Sequence, residues 1–167
     1  MTMSFSDAVL KPLADTAVST AILESGWLFP TIETVHVLAL ALVFGSVAIV
    51  DLRLLGLASR DRTVASLARQ VLPWTWGGFT LALVSGALLF ASQPIKYFGN
   101  IPFRVKFLLL ALAGLNMLWF QWRTYPKVAA LPSGAALPFA ARLAGAFSLL
   151  LWISVITSGR WIAFTGY

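Results

Sequence analysis

His36 is the single histidine of the chain, and it lies inside an apolar stretch that runs from Trp27 to Val50. Glu33 precedes it by three residues, a spacing that puts both side chains on one face of a helix. Ionisable groups are costly in hydrocarbon, so they usually face a bundle interior and mark a cofactor, proton or substrate site. A neutral imidazole can ligate a metal through one nitrogen while the other donates to a carboxylate or carbonyl. His36 is therefore the candidate metal ligand, and Glu33 is the group expected to orient it or to carry a proton. The chain has no cysteine, which excludes disulfides, thiolate metal sites and thiol catalysis. No Gly-rich phosphate loop, Ser-His-Asp set or zinc helix motif is present, and nothing favours nucleic-acid recognition.

The elements that must hold this pair in place follow from composition. Hydrophobic residues make up 59% of the chain and charged residues 11%, more apolar surface than a soluble domain of 167 residues can hide. The lipid bilayer is the natural solvent. Four stretches reach the ~20 residues that a spanning helix needs, near 30–54, 74–93, 103–123 and 139–160. Backbone polar groups find no water in lipid, so each must be helical. The expected fold is an all-α integral membrane four-helix bundle with short interfacial amphipathic helices, in one membrane domain covering 1–167. Residues 1–26 read as an interfacial N-terminal segment, with Val9, Leu10, Leu13, Ala17, Val18, Ala21 and Ile22 as its apolar stripe. Its Asp7, Asp15 and Glu24 are unlike a signal peptide. A second flat amphipathic helix is expected over 64–72, ended by Pro73.

Charge gives an orientation. With the N-terminus outside, Arg53, Arg60, Arg62, Arg69, Arg123, Lys127 and Arg142 face the cytoplasm, against Lys11, Lys96, Arg104, Lys106 and Arg160 outside. Both termini are then on the outer side. The net charge of +6 fits this topology and anionic lipid. Trp27, Phe29, Tyr97, Phe98, Trp161 and Tyr167 would form the outer aromatic belt, and Trp74, Trp76, Trp119, Trp122 and Tyr125 the inner one.

Depth brings further residues to His36. It lies ~9 Å inside Pro30 at the helical rise, Gly86 has a similar depth in the second span, and Trp152 is ~12 Å from Arg160. Glu33, Arg104, Lys106 and Arg160 stand above this layer. Haem b fits such a pocket: His36 below, Gly86 and Trp152 along the walls, cations above for the propionates. With one histidine, bis-histidine ligation is not available within the chain. Five-coordinate haem, a ligand from Lys106, or a histidine from a second subunit of a homo-oligomer are the alternatives. Ala41 and Gly45, Gly78, Ala82 and Gly86, and Ala141 and Gly145 form small-residue rows suited to close helix packing. Asp51 and Arg53 read as an interfacial ion pair or topology anchor, and Asn116 as an interhelical hydrogen bond.

Several stretches resemble known membrane families. Pro102-Phe-Arg-Val-Lys-Phe-Leu-Leu-Leu-Ala-Leu-Ala-Gly-Leu-Asn116, followed by Tyr125-Pro126, resembles a span of copper-resistance D-type membrane proteins, which implies copper handling. The first span, with His36 early and Arg53 late, is similar to that of the haem-binding membrane-type protoporphyrinogen oxidase, which implies haem b on His36. Asp51-Leu-Arg-Leu-Leu-Gly56 and Gly159-Arg-Trp-Ile-Ala163 together look closest to an uncharacterised family of small four-span bacterial membrane proteins, over about Trp27 to the C-terminus. The resulting expectation is a multi-pass protein of the bacterial inner membrane that binds haem b and passes electrons to or from quinone or a partner protein. The alternative is a non-enzymatic accessory subunit or small transporter, related to copper.

Overall fold

The computed structural model describes residues 5–165, with side chains from Val9 onward. Tyr167 of the expected outer belt lies outside the described residues. Two short helices, α1 (Phe5–Ala14) and α2 (Ala17–Glu24), lead into α3 (Leu28–Leu55). Next come α4 (Val64–Ser92), the short α5 (Pro94–Gly99) and α6 (Ile101–Trp119). A π turn over 120–124 joins α6 to α7 (Tyr125–Ala129), and α8 (Phe139–Ile162) completes the chain. Leu28–Leu55, Val64–Ser92, Ile101–Ala129 and Phe139–Ile162 are the four helices long and apolar enough to cross a membrane. The all-α bundle expected from the sequence is the fold.

Helix ends follow local chemistry. Thr63 caps α4 by accepting from the Ser66 N–H at 3.1 Å, and Asn100 caps α6 by accepting from Phe103 at 3.1 Å. Gly56 closes α3 in the left-handed region at φ 74°, a conformation costly for a residue with a Cβ. The N-terminal stripe is broken in two, because Thr16 caps a new helix by accepting from Ser19 at 3.3 Å. The Ser19 hydroxyl donates to the Ser92 carbonyl at 3.0 Å, and Ile22 is buried, so α2 docks on the end of α4.

One expected element is corrected. Residues 64–72 are not a separate flat helix; they are the first turns of α4, which continues through Pro73. Proline removes one ladder hydrogen bond and crowds the preceding turn. Burial outweighs that loss here. Val64 packs with Leu54, Val128 and Ala141 in the inner core cluster, and Leu67 is buried as well.

α3 is the central rod: it packs on α4 along one side and on α8 along another, and α8 in turn packs on α6. Small residues set these approaches. A Cβ on Gly78 would stand 3.1 Å from Val43 Cγ2 and 3.3 Å from the Ala39 carbonyl, and one on Gly145 would stand 3.0 Å from Leu54 Cβ. The Ala41–Gly45 row differs. Both residues are exposed, and among the described residues nothing lies within 4 Å of a Cβ on Gly45, so this glycine does not set a close helix approach. Near the Ser92 end of α4, Phe90 stacks on Phe103 of α6, with centroids 5.4 Å apart. Asn116 of α6 donates to the Ala144 carbonyl of α8 at 3.1 Å, the interhelical bond its depth predicts. In the π turn the Tyr125 N–H reaches back five residues to the Phe120 carbonyl.

Candidate functional site

His36 stands eight residues into α3, ~12 Å from Leu28, and Gly86 stands six residues before the end of α4, ~9 Å from Ser92. The two helices run antiparallel through a short connection, so both positions fall at one level. There the imidazole lies directly over Gly86: a Cβ added to that glycine would meet His36 Cε1 at 3.0 Å and Nδ1 at 3.4 Å. The absent side chain makes room for the ring itself.

Ser85, the residue before Gly86, orients that ring. Its Oγ is 3.0 Å from His36 Nδ1. The Ser85 hydroxyl proton is directed at the Leu81 carbonyl, 2.6 Å away, so the oxygen meets His36 as an acceptor. This arrangement favours the neutral tautomer with the proton on Nδ1 and the lone pair on Nε2. Ser85 is 4% exposed, which keeps water from competing for this bond.

Lys106 approaches from α6. It is half-buried, and its stem lies across Gly159 of α8, where an added Cβ would stand 3.4 Å from Nζ and 3.8 Å from Cε. Its charge acts on His36. Gly86 thus takes the imidazole and Gly159 the ammonium, and the Lys106 charge is near enough to act on His36.

Of the other four expected residues, three are exposed and one is half-buried. Glu33 is exposed and has its electrostatic partner in Tyr97 on α5, while Ser85 takes the orienting role expected of it. Burial holds the Tyr97 phenol above its ordinary range, and the Glu33 charge adds to the effect. Arg104 is exposed, and Arg160 is exposed with its guanidinium 5.8 Å from the Phe164 ring centroid. Trp152 is half-buried on α8, ~15 Å from Ile162. Ser85 and Gly159 were missing from the expected set. A serine in an apolar helix usually bonds to its own preceding turn, so nothing in its spacing pointed to His36 across 49 residues.

Among the described residues no group of three or more His, Cys, Asp or Glu could hold a metal ion, so His36 offers a single protein ligand. Such a donor set fits one axial position of haem and does not fit a closed structural metal site.

Asp51 and Arg53 are not the interfacial ion pair expected from their proximity. Both are buried, at 5% and 2% exposure, and residues two apart leave a helix in different directions. Arg53 Nε donates to the Arg62 carbonyl at 2.9 Å. Asp51 turns towards α8, where the Ser148 hydroxyl lies near its carboxyl.

The profile of a family of unknown function, DUF6644, matches residues 19–165. No curated protein and no solved structure matches the chain. None of these comparisons links it to copper-resistance D-type proteins or to membrane-type protoporphyrinogen oxidase.

Proposed function

The chain belongs to the DUF6644 family, and from its geometry we propose that it is a multi-pass inner-membrane protein whose working atom is His36 Nε2. In this reading His36 would hold a haem b, and the protein would pass electrons to or from quinone or a partner protein. The observation that supports it is the Ser85 contact with Nδ1, which favours the tautomer whose lone pair is on Nε2. Haem, when bound, supplies a one-electron couple. The chain's residues do the rest. Ser85 holds the ring plane, Gly86 lets the ring lie close against α4, and Lys106 offers a cation for a propionate. Arg104 and Arg160, exposed at the outer helix ends, can reach a second anionic group. Both termini on the outer side, as the distribution of basic residues favours, would put this centre in the outer leaflet.

Purification in mild detergent followed by an absorption spectrum tests the reading. A Soret band is expected, with or without added haem, and His36→Ala should abolish it. Ser85→Ala should keep the band but shift the reduction potential, because ligand basicity falls when Nδ1–H loses its acceptor. A folded protein that stays colourless after haem addition ends the proposal.

A second reading is favoured by a different observation, the close fit of the ring on Gly86. There His36 is a helix-packing residue worth about 0.6–2 kcal/mol, and the protein is a non-enzymatic accessory subunit or small transporter. It predicts that His36→Ala changes assembly or stability and leaves the spectrum untouched.

A further inference from the structure

We propose that Asp51 is the core of a second site, in the opposite half of the bundle, which binds one small monovalent cation, either a proton or Na+. The proposal does not depend on the reading of His36.

Asp51 is 5% exposed, and its Oδ2 is enclosed without any hydrogen-bond partner. The Ser148 hydroxyl of α8 lies near the carboxyl. An enclosed carboxylate is stable only when a neutralising group shares its site. The basic residues around it do not supply one. Arg53, on the same helix, spends its Nε on the Arg62 carbonyl. Arg142 of α8 and Arg69 of α4 are exposed, and Arg123 lies over the Trp119 ring. With no ion pair to Asp51 among the described residues, solution is the remaining source of a neutralising charge.

The surroundings suit a small guest. Gly145 brings α8 so near that an added Cβ would stand 3.1 Å from the Asp51 carbonyl and 3.5 Å from its Cα, which closes the region to lipid. Ser148 contributes a hydroxyl oxygen. Asn116 holds the Ala144 carbonyl at 3.1 Å, one residue from Gly145, and brings a third polar side chain to this part of the bundle. Asp51 is four residues from Leu55, so only ~6 Å of helix separates it from the polar connection that follows Gly56. That distance allows exchange with water on one side without a path through the whole membrane. Intramembrane carboxyls of this kind are typical of ion and proton pathways.

Dicyclohexylcarbodiimide, an apolar reagent that adds to protonated carboxyls buried in membrane proteins, gives the test. The intact protein in detergent is treated in Na+-free buffer from mildly acidic to mildly basic pH, and adducts are mapped by mass spectrometry. Labelling at Asp51 that rises as pH falls is expected, with no adduct at that position in Asp51→Asn. Added Na+, at constant ionic strength with choline, separates the two occupants: suppression of labelling identifies Na+, and unchanged labelling identifies the proton. A folded wild-type protein whose Asp51 stays unlabelled at every pH overturns the proposal. Because the adduct is mapped in the wild-type chain, this outcome is decisive even if Asp51→Asn fails to fold.

Discussion

α3 carries His36 in one half of its length and Asp51 in the other, and the bundle treats them differently. His36 faces α4, rests on Gly86 and hands Nδ1 to Ser85. Asp51 faces α8, lies beneath Gly145 and keeps one oxygen without a partner. In both places a glycine on the neighbouring helix creates the space. The difference lies in what the neighbour gives back: an acceptor that favours one tautomer in one case, and an incomplete shell in the other. A polar group whose neighbour supplies an acceptor is held in one orientation. One that is half answered leaves capacity for a guest.

Substitutions at the two glycines test this contrast most directly. Gly145→Ala should have the larger effect, because the new Cβ meets Leu54 Cβ and the Asp51 backbone, neither of which can swing aside. Overpacking of this kind costs about 1–3 kcal/mol. Gly45→Ala is the control. It meets nothing within 4 Å, so its thermal unfolding in detergent should match the parent or exceed it by up to ~1 kcal/mol of helix propensity. Equal destabilisation by the two would refute the packing role given to Gly145.

Gly86→Ala comes next. The atom it meets belongs to the movable His36 ring, so the cost is that of a distorted side-chain torsion, about 0.5–1.5 kcal/mol. The ring should leave Ser85, and nitrogen NMR of the imidazole should then show a mixture of tautomers. A spectrum identical to the parent would mean that the close fit constrains nothing.

The smallest effect concerns the outer rim. Glu33→Gln should lower the pH at which Tyr97 ionises, since the removed negative charge disfavours the phenolate. The shift is partial, because burial is the larger cause and is untouched by the substitution. Ultraviolet titration of the phenolate, with Tyr97→Phe as reference, reads it. A movement in the opposite direction would place Glu33 elsewhere.

The four spans were legible because lipid leaves the backbone no alternative to helix, and uninterrupted apolar runs show where that constraint applies. Pro73 misled for a physical reason. It reads as a boundary, yet it removes only one ladder bond, and the buried Val64 and Leu67 hold the turns before it in line with the rest of α4. The level of His36 and Gly86 was readable from rise per residue alone. Ser85 was not, since a hydroxyl that satisfies its own helix gives no sign in sequence of also serving another. Asp51 and Arg53 looked like partners because they are close along the chain. Helical geometry sends them to different neighbours, and only the packing of α3 against α8 reveals that one of them is left incomplete.

The five-residue turn over 120–124 acts as a phase shifter. Each residue advances an α-helix by ~100°, and a widened turn adds rotation that the regular repeat does not allow. Upstream of it Leu115, Leu118 and Trp119 point outwards; downstream, Val128 is fully enclosed beside Leu54, Val64 and Ala141. Excising one residue from this collar would swing Val128 out of its socket while the preceding rod stayed seated, so the last helical turns of this span are indexed separately from the first.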